Sequence, residues 1–115
     1  MLKDLTIFQK SYELIKWLHG VAQRLPKSER FVLAQRLENT ALDFLSAVIE
    51  ANASRDKAAA LGEAEVSLEK LRIHFRLAFE LRYVSLKQYE TGSRQIDELG
   101  RLLGGWKKKF CDSIA

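Results

Sequence analysis

Catalysis or metal binding would have to start from very few side chains in this sequence: two histidines, His19 and His74, and one cysteine, Cys111. A di-iron centre in a helical bundle needs Glu-x-x-His on two helices, both facing inward. Lys16 stands three residues before His19 and Leu71 three before His74, so the motif is missing at both. Two isolated histidines do not make a zinc site. "GGWKKK", residues 104–109, lacks the Gly-x-x-x-x-Gly-Lys spacing of a phosphate loop and the strand that precedes one. His74, inside "LRIHFRL", reads as a partly buried or interface side chain. Cys111 cannot form an intrachain disulfide and has no fixed His partner, so it reads as an inert, reduced, cytoplasmic thiol. No nucleophile, base and orienting group come together. The sequence therefore predicts a binding protein without catalytic residues, metal or cofactor.

What remains is charge. Nineteen Lys and Arg against 15 Asp and Glu give a net charge of +4, a weak pointer to a polyanion. Lys87, Arg94, Arg101 and Lys108 recur every seven residues, so on a helix they share a stripe that drifts about 20° per heptad. Glu90 lies four residues before Arg94, and Asp97 four before Arg101. The stripe either makes these surface ion pairs or meets a polyanion. Lys107, Lys108 and Lys109 have no acidic partner of that kind. Arg72 and Arg76 sit in "LRIHFRLAFELR", a helix apolar nearly all round through Leu68, Leu71, Ile73, Phe75, Leu77, Phe79 and Leu81. A helix of that kind is buried on more than one side, which predicts a subunit interface that includes Ile73 and Leu77. The two arginines either pair with acids such as Glu38, Asp43 or Glu69, or line a shared basic opening.

The elements that position these groups are helices. The chain has 115 residues, is 47% hydrophobic and has one proline, which suits one helical domain with a real core. Apolar residues fall at helical spacing in four segments. The first runs through Ile7, Leu14, Leu18, Val21 and Leu25, with Ser11 between, and ends at Pro26. The second runs through Phe31, Ala34, Leu37, Ala41, Phe44, Leu45 and Val48. The third uses Leu61, Ala64, Leu68, Leu71, Phe75 and Ala78, and the fourth Leu86, Tyr89, Ser93, Ile96, Leu99 and Leu103. Ser28 is an expected N-cap for the second helix, and Ser54 or Asp56 for the third. "SLKQ", Ser85 to Gln88, reads as a capping box. The expected helices lie near 4–24, 28–52, 57–83 and 86–110, and short connections make them an all-α, up-down-up-down four-helix bundle in one domain, 1–115. No apolar run is long enough for a membrane span, and "MLKDLTIF" is not a signal peptide. Residues 1–27 and 86–110 each carry +3, against −2 for 28–52 and +1 for 57–83. Positive charge should therefore gather where the first and fourth helices meet.

Gly100 and Gly104, four apart, and Gly105 beside Trp106 interrupt the fourth helix, where each glycine costs about 0.5–1 kcal/mol against alanine. The spacing of Gly100 and Gly104 predicts close approach of a neighbouring helix, and Gly105 leaves room beside Trp106, which can lie flat on a partner.

The ordered set "FQKSYELIKWL", "RFVLAQRLENTALDFL", "SRDKAAAL", "LEKLRIHFRLAFELRYVSLKQYE" and "ELGRLLGGW" resembles the accessory variability determinant (Avd) proteins of diversity-generating retroelements. These sit within a broader four-helix-bundle family that includes proteins encoded by intervening sequences in bacterial 23S ribosomal RNA genes. The resemblance implies a homopentameric barrel of bundles with no catalysis of its own. It also implies binding to the element's reverse transcriptase and template-region RNA in support of mutagenic cDNA synthesis. By position it places Arg72 and Arg76 of the third helix, and Lys10 and Lys16 of the first, at family basic positions. Gly100, Gly104 and Trp106 match the family's helix ending. The alternative implied by the ribosomal relatives is an interaction scaffold with no reverse transcriptase partner.

Overall fold

The structure is a computed structural model that describes residues 5–114. It contains α1 (Thr6–Gln23), a 3-10 turn (Lys27–Glu29), α2 (Leu33–Ala53), α3 (Ala58–Glu80) and α4 (Leu86–Ile114). Each helix packs on the next and α4 closes against α1, which makes the predicted up-down-up-down bundle, 47 × 24 × 22 Å. The expected helix start at residue 4 lies outside the described residues.

The helical periods of the sequence become the core. Ile7, Leu14, Leu18, Val21 and Leu25 are buried, as are Leu61, Leu68, Leu71 and Phe75, and Ile96, Leu99 and Leu103. Buried Ser11 is satisfied within α1, where its hydroxyl donates to the Ile7 carbonyl at 2.6 Å. The two sides of the bundle are packed differently. Ala41, Ala47, Ala51, Ala60 and Ala64 are all buried, and these small side chains let α2 and α3 approach closely. The side nearer α4 is filled with rings: Trp17 meets Phe75 edge-on at 6.1 Å, and Phe79 stacks on Tyr89 at 4.3 Å.

The connections correct the expected boundaries. α2 starts at Leu33, not at residue 28, because the amides of Glu29, Arg30 and Val32 bond to the Pro26, Lys27 and Glu29 carbonyls in 3-10 fashion. Ser28 lies inside that turn and caps nothing. Phe31 is consequently 78% exposed instead of buried, and Leu86, expected in the core, is also exposed. At the next connection Asp56 Oδ1 accepts from the Ala58 amide at 3.2 Å, whereas the Ser54 hydroxyl bonds to the Asp56 carbonyl.

α3 ends at Glu80, three residues earlier than expected. The Tyr83 amide donates to the Ala78 carbonyl and the Arg82 amide to the Phe79 carbonyl, both at 2.9 Å. This is the Schellman pattern, and it places Arg82 in the left-handed region at φ 66°. The predicted capping box then opens α4: the Gln88 amide donates to Ser85 Oγ at 3.1 Å, and the Ser85 amide to Gln88 Oε1 at 2.9 Å. α4 runs on through Gly104 and Gly105 to Ile114, past the expected end at 110.

Candidate nucleic-acid interface

The sequence singled out nine cations, and the fold divides them. Arg72 reaches across from α3 to Asp97 of α4, with Glu69 3.7 Å away on its own helix. Arg76 donates to Glu80 Oε2 at 3.0 Å, and Glu80 holds its guanidinium in the charged form. Both arginines remain partly or largely exposed, so they are surface ion pairs, and of the three acids expected for them only Glu69 is used. Lys10 lies between Glu13 and Glu98, at 4.0 and 3.8 Å. Lys16 sits over the Tyr12 ring, 5.2 Å from its centroid. Lys107, expected to lack an acidic partner, binds Glu65 of α3 at 2.6 Å, which pushes its ammonium pKa up.

Lys87, Arg94, Arg101 and Lys108 are different. All four are exposed, and none makes an ion pair or side-chain hydrogen bond among the described residues. The helical spacing explains why. Arg94 and Arg101 lie on the side of α4 opposite Ile96, Leu99 and Leu103, and Arg101 also borders the start of α1, where it lines a cleft with Leu5, Thr6 and Ile7. Asp97 lies instead on the flank facing α3, where Arg72 takes it. The pairs expected between Glu90 and Arg94 and between Asp97 and Arg101 are not formed. The result is a row of cations, free among the described residues, about 30 Å long at 1.5 Å per residue, with Glu90 within it and Glu98 at its edge, where Glu98 faces Lys10 at 3.8 Å.

The residues expected at an oligomer interface also separate. Ile73 and Leu77 of α3 are exposed, together with Val66 seven residues before Ile73, so the outward face of α3 is an apolar stripe. Trp106 is half-buried and packs on the core of its own chain. Gly100 is in ordinary contact with Arg72 and Leu68, at 3.5 and 3.7 Å for an added Cβ, while Gly104 and Gly105 have no neighbour within 4 Å. Among the described residues no side chain or neighbouring helix backbone fills the Cβ position of either, so the chain's own packing does not account for these two glycines.

His74 is half-buried, and its Nδ1 is buried without a hydrogen-bond partner. Burial first, then Arg36 and Lys70, lowers its pKa. A groove of about 700 Å³ between α2 and α3 is lined by Asp43, Glu50, Glu63 and Lys70, among others, and does not include His74. Among the described residues, no three His, Cys, Asp or Glu side chains gather as metal ligands, and no helix is long and apolar enough to cross a membrane.

Fold and charge layout define an antiparallel four-helix bundle with a basic row on α4 that is unpaired among the described residues. The chain belongs to the bAvd-like family, whose model matches residues 5–110. This agrees with the resemblance to Avd proteins seen in the sequence. Among solved structures it is similar to a protein of unknown function from the S23 ribosomal protein family of Bacteroides thetaiotaomicron. That likeness has a TM-score of 0.78 at 18% identity and covers 94% of this chain and 99% of the other, which shows the shared fold. No curated protein matches the chain.

Proposed function

We propose that this protein is the non-catalytic accessory protein of a diversity-generating retroelement, a cytoplasmic homo-oligomer that binds the element's reverse transcriptase and template-region RNA. Family membership supports the setting. The observation that carries RNA binding is the row Lys87, Arg94, Arg101 and Lys108, whose charges no acid neutralises among the described residues. Phosphate binding draws on such cations and weakens with salt. With no base-reading motif in the sequence, recognition runs through backbone and shape. Arg94→Ala/Arg101→Ala is expected to weaken binding of template-region RNA and flatten its salt dependence by about 1–2 in log–log slope. Unchanged binding by this variant would overturn the assignment.

The exposed stripe Val66, Ile73 and Leu77 supports self-association, and the family resemblance supports five copies. Ile73→Lys/Leu77→Lys is expected to leave the bundle folded and shift light scattering from an oligomer to 13.2 kDa. A wild-type monomer at micromolar concentration would sink this part.

The similarity to an S23-family protein favours a second reading, an interaction scaffold with no reverse transcriptase partner. Co-purification with a reverse transcriptase encoded beside this gene separates the two.

A further inference from the structure

The end of the bundle built by the α1–α2 and α3–α4 connections carries charge and apolar surface beyond the α4 row. Residues 24–32 and 80–88 hold five cations, of which Arg24, Lys27, Arg30 and Arg82 lie outside that row and Lys87 begins it, and two acids, Glu29 and Glu80. Both acids are occupied. Glu29 accepts a 2.9 Å hydrogen bond from the Tyr83 hydroxyl, which ties the two connections together, and Glu80 holds Arg76. The five cations are exposed and have no side-chain partner among the described residues. At the same end Phe31, Val32, Leu81 and Leu86 are exposed over a floor of buried Leu25, Leu33 and Val84.

The α2–α3 connection, at the opposite end, treats its lysine differently. Lys57 Nζ donates to the Ala51 and Ser54 carbonyls at 2.6 and 2.9 Å, and so closes the last turn of α2. The cations of the first end do no such structural work. Arg82 even stands at a left-handed position that glycine occupies without the steric cost an arginine bears.

We infer that this end is a docking site for single-stranded RNA, with Phe31 stacking against a base and Arg30, Arg82 and their neighbours contacting phosphates. Every base has a π face, so a ring as exposed as Phe31 beside free cations suits single strands of any sequence. A second copy placed end to end would bring like charge against like. An anionic membrane wants an amphipathic helix lying flat, whereas the apolar residues here sit at a tip. The inference rests on reading the protein as an RNA binder, but uses a surface apart from Arg94 and Arg101.

The test uses the full chain, a labelled unstructured RNA of about 12 nucleotides, a duplex RNA of the same length and phosphatidylserine vesicles. Phe31→Ala is expected to weaken single-strand binding at least about fivefold and leave duplex binding unchanged, and Phe31→Trp to retain it. Arg82→Gly is expected to lower single-strand affinity and reduce its salt slope by about 0.7, while the melting temperature holds or rises. Unchanged single-strand binding by Phe31→Ala overturns the inference, as does an equal loss on duplex or a loss confined to vesicles. If Phe31→Ala has no effect while Arg94→Ala/Arg101→Ala abolishes RNA binding, this inference falls and the proposed function stands. If the wild-type protein binds no RNA, both fall.

Discussion

The ring of Phe75 occupies the space that a side chain at Gly92 would fill. A Cβ added there would lie 2.5 Å from Phe75 Cζ, 2.6 Å from its Cε2 and 2.9 Å from Trp17 Cζ3. Phe75 is itself fixed between Trp17 and Tyr89, so it has little room to yield. Gly92→Ala gains up to about 1 kcal/mol of helix propensity but overpacks the core at about 1–3 kcal/mol. The net expectation is a lower melting temperature, partly recovered by adding Phe75→Leu. A stabilised Gly92→Ala protein would show that the rings move freely.

Arg72 and Arg76 give a test of what exposed ion pairs contribute. Their acids Asp97, Glu69 and Glu80 are about half exposed or more, and pairs of that kind contribute at most about 1 kcal/mol. Arg72→Ala/Arg76→Ala is therefore expected to melt within a few degrees of wild type and to keep its helicity and assembly size. Early melting, on the scale of the 3–5 kcal/mol that stranding a buried charge costs, would mean that the pairs are buried in the assembled protein.

Gly104 and Gly105 lie inside α4 with open space where a side chain would go. Gly104→Ala and Gly105→Ala should each stabilise the helix by up to about 1 kcal/mol, read as a rise in thermal midpoint. If either variant instead melts lower or dissociates the oligomer in light scattering, another copy of the chain packs against that glycine.

His74 should make stability depend on pH. Its folded pKa lies below the ordinary 6.5, through burial and then Arg36 and Lys70. Below that value the unfolded chain binds a proton that the folded chain resists, so stability rises with pH there. The contribution is complete above about pH 7.5 and is lost as pH falls from 6.5 through the depressed folded pKa. In urea melts between pH 5 and 8, His74→Gln should flatten the slope on the acid side. An unchanged slope would assign it to other groups.

Local patterns carried much of this protein in its sequence. The core of α1 and α3 and the Ser85–Gln88 box depend on spacing along one helix, so they are visible before anything folds. The same holds for the heptad row from Lys87 to Lys108. Whether that row was free could not be read there. Asp97 lies four residues from Arg101 in sequence, but the rotation of α4 against α3 gives it to Arg72. Lys107 finds Glu65, 42 residues away, for the same reason. The glycines show the limit as well. Gly100 and Gly104 carry a recognisable small-residue spacing, yet the position that needs glycine is Gly92, because only packing puts Phe75 and Trp17 beside it. Phe31 follows the helical period of α2 but is left outside when the chain closes a 3-10 turn first. Periodicity along one helix determines which face is apolar; which residue meets which across a seam depends on how the helices are rotated and shifted against one another, and only tertiary packing decides that.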